Sequence, residues 1–384
     1  MCCNKALLNT HTRLTLLPLS CLIQINKLPI RRLAKSHSSR KTTNQDTIGV
    51  TMGDHHQQVA VELILDFDGT ITTADTIASL AKAAMELQIK NRGRSRSEMA
   101  SAWAAIEQAY AHDLREYQDT YVYQNRTPAE QPLDSSMATL RPVQGLEGGT
   151  PLDIIMDRLS CRQRRHIELA SLARVKDEGV FKSIRHEDLF SAGQQDRIES
   201  RVHLREGFDP FITQAKEKHD VHVLSVNWSA SYISGVLSGY DMASVLANTT
   251  DPEDGSISAS QAGFENLVPR GHWPEVLTVA RDKVVALRHL YWRQKLLKPD
   301  KNLQFIYFGD SATDFECLKE VGGVIMSNDE GGSLLRMLRK ELAYHIPHVS
   351  QWTKGEFICW ARDFSELSKA NYLARRVFAA ENNG

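Results

Sequence analysis

The sequence predicts an α/β fold, a doubly wound parallel sheet of the Rossmann-like kind that carries an inserted, mainly helical unit. Three observations point there. Short runs rich in aliphatic and β-branched residues occur at Val59–Phe67 (VAVELILDF), Val221–Val226 (VHVLSV), Leu303–Phe308 (LQFIYF) and Val321–Met326 (VGGVIM), the pattern of strands buried on both faces. Helical spacing marks Ala230–Leu237, Lys283–Gln294 and Ser333–Leu342, and strands that alternate with helices wind into a parallel sheet. The stretch between the first two runs shows no strand patterning and is far longer than a single crossover, so it is expected to be a separate helical insertion.

Composition sets the outer limits. The 384 residues, 42% of them apolar, suffice for one elaborated domain or two. Lys plus Arg number 46 against 47 Asp plus Glu, a formal net charge of −1, which provides no global field for a polyanion and excludes a dedicated nucleic-acid binder. The six cysteines are scattered with no CxxC pair, so neither a disulfide scaffold nor a zinc cluster is expected and a reducing compartment is. The longest apolar stretch, Leu14–Ile25, is broken by Pro18, Ser20 and Gln24. It is shorter than the ~20 residues that span a bilayer, and no membrane partner is expected.

The elements follow in chain order. Up to Gln45 the chain has basic, serine and threonine residues but no acidic one. This is transit-peptide composition, which would make the protein mitochondrial; if translation starts instead at Met52 it would be cytoplasmic. On either reading residues 1–58 are a leader outside the fold, expected to be disordered. The core is assigned to 59–75 and 204–384, and the helical insertion to 76–203. Within the insertion, Thr76–Ile89 and Glu98–Tyr121 read as helices, and Tyr110, Tyr117 and Tyr121 as packing residues on the second. Asn125–Gly149, with Pro128, Pro132 and Pro142, reads as a loop. Thr150–Pro151 is a helix start, followed by Leu152, Ile155, Met156 and Leu159 on one face. The tail Asp363–Ala380 reads as one amphipathic helix that packs on the core or on a partner. His219 and His222 have helix-like metal spacing but straddle the start of a strand, so a solvated loop is expected there. The Asn-X-Ser/Thr matches at Asn125, Asn227 and Asn248 are read as chance.

The residues that carry chemistry sit at predicted strand ends. Asp66-Phe67-Asp68-Gly69-Thr70 closes the first strand. Open parallel sheets bind ligands beyond the carboxyl ends of their strands, and alternation along a strand would point both aspartates into that crevice. A second acidic pair, Asp310 and Asp314 in Gly309-Asp310-Ser311-Ala312-Thr313-Asp314, follows another hydrophobic run. Alone it could be a helix cap. Together the two pairs gather carboxylates that would repel one another unless a cation offsets them, and Mg²⁺, which takes oxygen ligands and completes its shell with water and phosphate, answers that need. Ser225 and Asn227, at the turn from the second predicted strand into a helix, are candidates to hold an anion. Lys283 is a candidate to bridge phosphate and nucleophile, with Lys295, Lys298 and Lys301 as rivals.

In DFDGT, the Ser225 strand end, Lys283 and GDSATD, taken in that order, the chain resembles the haloacid dehalogenase-like hydrolases. The resemblance covers Val59 to about Asn328 and is nearest to the phosphoserine phosphatase-like branch, in which a helical cap follows the first motif; Leu204–Ile212 (LREGFDPFI) is similar to that branch as well. It implies Asp66 as nucleophile, Asp68 as general acid and base, and Ser225 and Lys283 as phosphate holders. Mg²⁺ would be bound by Asp66, Asp310 and the main-chain carbonyl of Asp68, with Asp314 supporting the site. Asp75 would be a possible substrate contact, its other reading being a helix cap. The implied function is a Mg²⁺-dependent phosphatase of a small phosphorylated metabolite working through an aspartyl-phosphate. The alternatives are a phospho-ligand sensor without turnover and a phosphomutase.

Overall fold

The computed structural model describes residues 59–124, 161–261, 273–341 and 345–381. Six strands form one sheet: β1 (Val59–Leu65), β2 (Asp220–Leu224), β3 (Ser244–Leu246), β6 (Asn302–Gly309), β7 (Gly323–Met326) and β8 (Ile358–Ala361). Their order is β3-β2-β1-β6-β7-β8 and every pairing is parallel. The chain therefore winds outward from β1 to β3 on one side, then returns beside β1 and winds outward from β6 to β8 on the other. The reversal between β1 and β6 is the topological switch point where such sheets open a crevice. A separate two-stranded hairpin, β4 (Asn248–Thr250) with β5 (Ile257–Ala259), follows β3.

Alternation along the strands feeds two cores. Leu63, Leu65, Val221, Val223, Ile306 and Phe308 face one hydrophobic cluster, while Ile64, Leu224, Phe305, Tyr307, Ile325 and Trp360 face the other. Both faces of the sheet are thus buried, which explains why the strands read as continuous apolar runs.

Between β1 and β2 the described residues contain five α-helices: α1 (Ile77–Arg92), α2 (Arg96–Gln124), α3 (Cys161–Asp177), α4 (His186–Ile198) and α5 (Phe208–Lys216). After β2 come α6 (Ala230–Val236), α7 (Ala280–Leu297), α8 (Phe315–Val321), α9 (Ser333–Glu341), α10 (Phe364–Lys369) and α11 (Tyr372–Glu381). The expected leader, the loop Asn125–Gly149 and the helix start at Thr150–Pro151 lie outside the described residues. Among the described residues no helix is long and apolar enough to cross a membrane.

One junction ties the inserted helices to the sheet. Helices α4 and α6 approach so closely that a Cβ on Gly193 would stand 2.2 Å from the Tyr232 carbonyl oxygen, and one on Gly235 2.0 Å from that of Phe190. Only glycine permits this backbone contact. Gly235→Ala is expected to destabilise the protein by about 1–3 kcal/mol, because the helices must separate to admit the methyl group. Urea denaturation measures this, and an unchanged midpoint would show that the junction yields freely.

Several expectations need correction. Val321 ends α8 rather than starting a strand, and β7 begins at Gly323, after Gly322 has turned the chain at φ 73°. The tail is two helices, not one: Asn371 adopts φ 49° and separates α10 from α11. It packs on the core, with Phe364, Leu367 and Tyr372 buried. His222 is no part of a solvated loop. It is fully buried in β2, its Nε2 3.0 Å from Glu62 Oε2 and its Nδ1 2.8 Å from Ser244 Oγ. Lys298, a rival for the active-site lysine, completes this network far from the strand ends, with Nζ 2.5 Å from Glu62 Oε1 and 2.7 Å from Asp220 Oδ2. A paired histidine can be accommodated where an unpaired one would be strongly disfavoured.

Candidate active site

The crevice lies at the carboxyl ends of the three central strands, β2, β1 and β6. Asp66 follows β1 directly with extended backbone, and Phe67–Ile71 form a tight turn closed by Thr72 N–H donating to the Phe67 carbonyl at 3.0 Å. Gly69 sits in that turn at φ 76°, and a Cβ there would meet Asp310 Oδ2 at 2.4 Å. Glycine is required twice over, for the turn and to let the Asp310 carboxylate approach. Asp310 and Asp314 follow β6, where Ser311 caps a short turn by accepting from Thr313 N–H.

The structure brings the two acidic pairs together. Carboxylate oxygens of Asp66, Asp310 and Asp314 all lie within 4.8 Å of one another. Lys283, in the first turn of α7 and fully buried, lies between two of them, its Nζ 2.8 Å from Asp66 Oδ1 and 2.7 Å from Asp314 Oδ1. Lys283 is therefore the lysine of the site. Burial alone would discharge its ammonium, but the carboxylates of Asp314 and Asp66 override burial and hold it protonated, well above the ordinary lysine range. Asp66 experiences the reverse balance. Burial, then the charge of Asp314, push its carboxyl well above the usual carboxylate range against the pull of Lys283.

Asp314 is fully engaged by protein donors. Its Oδ1 accepts from Lys283 Nζ and from the Tyr307 hydroxyl at 2.7 Å, while its Oδ2 accepts from Asp310 N–H at 3.1 Å and from Ser311 N–H and Oγ, both at 3.0 Å. This anchors the loop after β6 and orients Lys283, so Asp314 contributes to the cluster as its fixed foundation. Asp66 Oδ1, by contrast, is buried beside Lys283 yet receives no aligned hydrogen bond. An incompletely satisfied buried carboxylate oxygen beside Asp310 suits a hard divalent cation, which binds oxygen donors of this kind. Thr70 Oγ1 donates to Asp310 Oδ1 at 3.3 Å.

Asp68 faces the same crevice from a different cradle. Its Oδ1 accepts from Thr76 N–H at 2.8 Å and Thr76 Oγ1 at 2.7 Å, and its Oδ2 accepts from Asn227 Nδ2 at 2.8 Å. Burial, then the nearby charge of Asp75, raise its pKa to about 7 against these donors. Asn227, expected to hold phosphate, directs its amide to Asp68 and, at 3.0 Å, to Thr76 Oγ1. In this structure its side-chain amide therefore supports the Asp68 carboxylate. Ser225 is fully buried, with its Oγ accepting from Asn227 N–H at 3.2 Å. Asp75 does cap α1, its Oδ1 accepting from Ile77 N–H at 2.7 Å, and it also lines the cleft.

That cleft lies between the strand ends and α3, which contributes Glu168, Ser171 and Leu172. Arg165 of α3 reaches across to form an ion pair with Asp282, the neighbour of Lys283. Sequence reading missed Tyr307, Thr76, Arg165, Glu168 and Ser171. Tyr307 lay hidden in an apolar strand run, and the others carry no local motif. Arg205 was also missed: its guanidinium donates to the carbonyls of Gly69, Thr70 and Arg362 and, at 2.8 Å, to Asn328 Oδ1. It thereby ties the DFDGT turn to the loops after β7 and β8.

No protein-family model matches the chain. It is similar to a CTO1 family protein of Schizosaccharomyces pombe, 28% identical over 272 residues covering 67% of this chain and 77% of that protein. It is also similar to Cold tolerance protein 1 of Saccharomyces cerevisiae, 24% identical over 323 residues covering 82% and 94%. Among solved structures, a phospho-aspartyl intermediate analogue of phosphoserine phosphatase aligns with TM-score 0.40 at 15% identity, over 81% of this chain and 98% of that one. Cytosolic 5′-nucleotidase IIIB bound to cytidine aligns with TM-score 0.41 at 10% identity, over 83% and 88%. The six-stranded parallel sheet with helices on its faces is the α/β core that the sequence resemblance implied.

Proposed function

We propose that this chain is a Mg²⁺-dependent phosphatase that hydrolyses a small phosphomonoester through an aspartyl-phosphate on Asp66. The observation that carries the reading is the convergence of Asp66, Asp310 and Asp314 around the buried ammonium of Lys283, at the switch point of a parallel sheet. A fold needs no such cluster for stability, since buried charges seldom return what their desolvation takes.

The residues present fit a divalent cation, and Asp66, Asp310 and the main-chain carbonyl of Asp68 would hold it. Bound there, Mg²⁺ would supply positive charge to the phosphoryl oxygens. The chain's own residues do the rest. An Asp66 carboxylate oxygen forms a bond to phosphorus as the ester P–O bond breaks, and Asp68 gives its proton to the departing alkoxide. Asp68, now a carboxylate, then takes a proton from water as the water oxygen attacks the same phosphorus; the Asp66–phosphorus bond breaks and inorganic phosphate leaves. Lys283, held by Asp314, offsets charge on Asp66 between the two steps. Ser225 holds the phosphoryl group, and Thr76 with Asn227 keeps Asp68 within reach of the leaving oxygen. The inserted helices form a cap that excludes water while the intermediate exists.

The test is a screen of phosphomonoesters with and without Mg²⁺. Phosphate release is expected with Mg²⁺, falling to background on chelation with EDTA and returning when Mg²⁺ is added back. A rate indifferent to divalent ions would contradict the metal-dependent reading. Binding of phosphorylated compounds with no phosphate released from any would favour a sensor in its place.

A further inference from the structure

Resting on the phosphatase reading, we propose that the substrate's leaving alcohol is rich in hydrogen-bond donors and carries no anionic group, being an amino alcohol or a polyol, and that Glu168 and Ser171 of α3 recognise it. The two side chains stand three residues apart on one face of the helix, over the cleft that holds Asp66 and Asp68. Ser171 is 1% exposed and its Oγ has no hydrogen-bond partner. A buried hydroxyl is normally paired, so one that lines a cleft unpaired marks where a ligand group completes the arrangement. Glu168, 4% exposed, has its carboxylate oriented through Oε1, which accepts from the Tyr110 hydroxyl at 2.9 Å and from Arg164 Nε at 3.2 Å.

The charge of the cleft sets the substrate class. Among the described residues its lining includes the acids Asp66, Asp68, Asp75 and Glu168 and no lysine, arginine or histidine. Lys283 lies beneath the lining against Asp66 and Asp314, and Arg165 is paired with Asp282. A carboxylate or second phosphate on the leaving group would therefore face carboxylates with no cation in the lining to receive it. Hydroxyl or ammonium groups would donate to Glu168 and Asp75 and complete Ser171, with Leu172 and Trp228 supplying apolar contact.

The test compares matched pairs on the full chain with Mg²⁺: phosphoethanolamine against phosphoglycolate, and glycerol 3-phosphate against 3-phosphoglycerate. The uncharged or cationic member of each pair is expected to exceed its carboxylated counterpart at least about tenfold in kcat/KM. The larger ratio tells whether an ammonium or a hydroxyl is the group read. Glu168→Gln and Ser171→Ala should each narrow that ratio by raising KM, and Glu168→Lys should invert it. The same four compounds are titrated calorimetrically into Asp66→Asn protein with Mg²⁺. A binding preference for the non-anionic members upholds the proposal even where the wild type releases no phosphate, an outcome that would refute only the phosphatase reading. Equal or tighter binding of the carboxylated members, no binding of any, or ratios untouched by Glu168→Gln and Ser171→Ala would overturn it.

Discussion

Asp66→Asn is expected to lower phosphate release by at least about four orders of magnitude, because the amide is isosteric with the carboxylate but cannot form a covalent bond to phosphorus. The same substitution should leave the fold intact. Asp66 is buried among like charges, and Asp314 and Asp310 both oppose its ionisation. A neutral side chain relieves that repulsion, while Lys283 keeps its bond to Asp314 Oδ1 at 2.7 Å. Stability to urea should therefore stay within about 1 kcal/mol of wild type, lost attraction to Lys283 offsetting relieved repulsion. Colorimetric phosphate assays and denaturation curves on the same preparation check both halves. Wild-type turnover in the variant would remove Asp66 from the role of nucleophile; a grossly unfolded variant would show that the carboxylate is structural.

Lys283→Met should have the largest effect on stability. Its ammonium is the buried charge that makes two carboxylates tolerable, one on each side at 2.8 and 2.7 Å. Methionine approximates the stem but leaves Asp66 and Asp314 facing each other uncompensated, and breaking a buried ion pair by removing one partner costs about 3–5 kcal/mol. Activity should fall with it. A stability loss below about 1 kcal/mol, the range of an exposed ion pair, would contradict the buried arrangement. Lys298→Met serves as the contrast, because Lys298 is partly exposed and bonds to Glu62 and Asp220 away from the strand ends. It should leave catalysis unaffected.

Much of this site was legible in the sequence because its chemistry is tied to strand ends. A run such as VELILDFDGT announces both the strand and the carboxylates that follow it, and a parallel sheet brings separate strand ends together. Asp66, Asp68, Lys283 and Asp310 could thus be named before their contacts were known. What escaped notice was whatever lacked a local pattern. Strands β3, β4, β5 and β8 are only three or four residues long, too short for periodicity to register. Asn371 broke the terminal helix through one positive φ that no apolar spacing reveals. Tyr307 counted as one more apolar strand residue, while its hydroxyl in fact supports Asp314. The bond from Asn227 to Asp68 was not foreseen, because sequence order shows that Asn227 lies beside the crevice but not that Asp68 turns toward it.

The covalent intermediate tests the account most directly. Wild-type protein mixed with a substrate found in the phosphomonoester screen, quenched during turnover and treated with borohydride, should carry its reduced acyl phosphate as homoserine at position 66 when digested and sequenced by mass spectrometry. Reduction at another carboxylate, or none at all in an enzyme caught turning over, would contradict it.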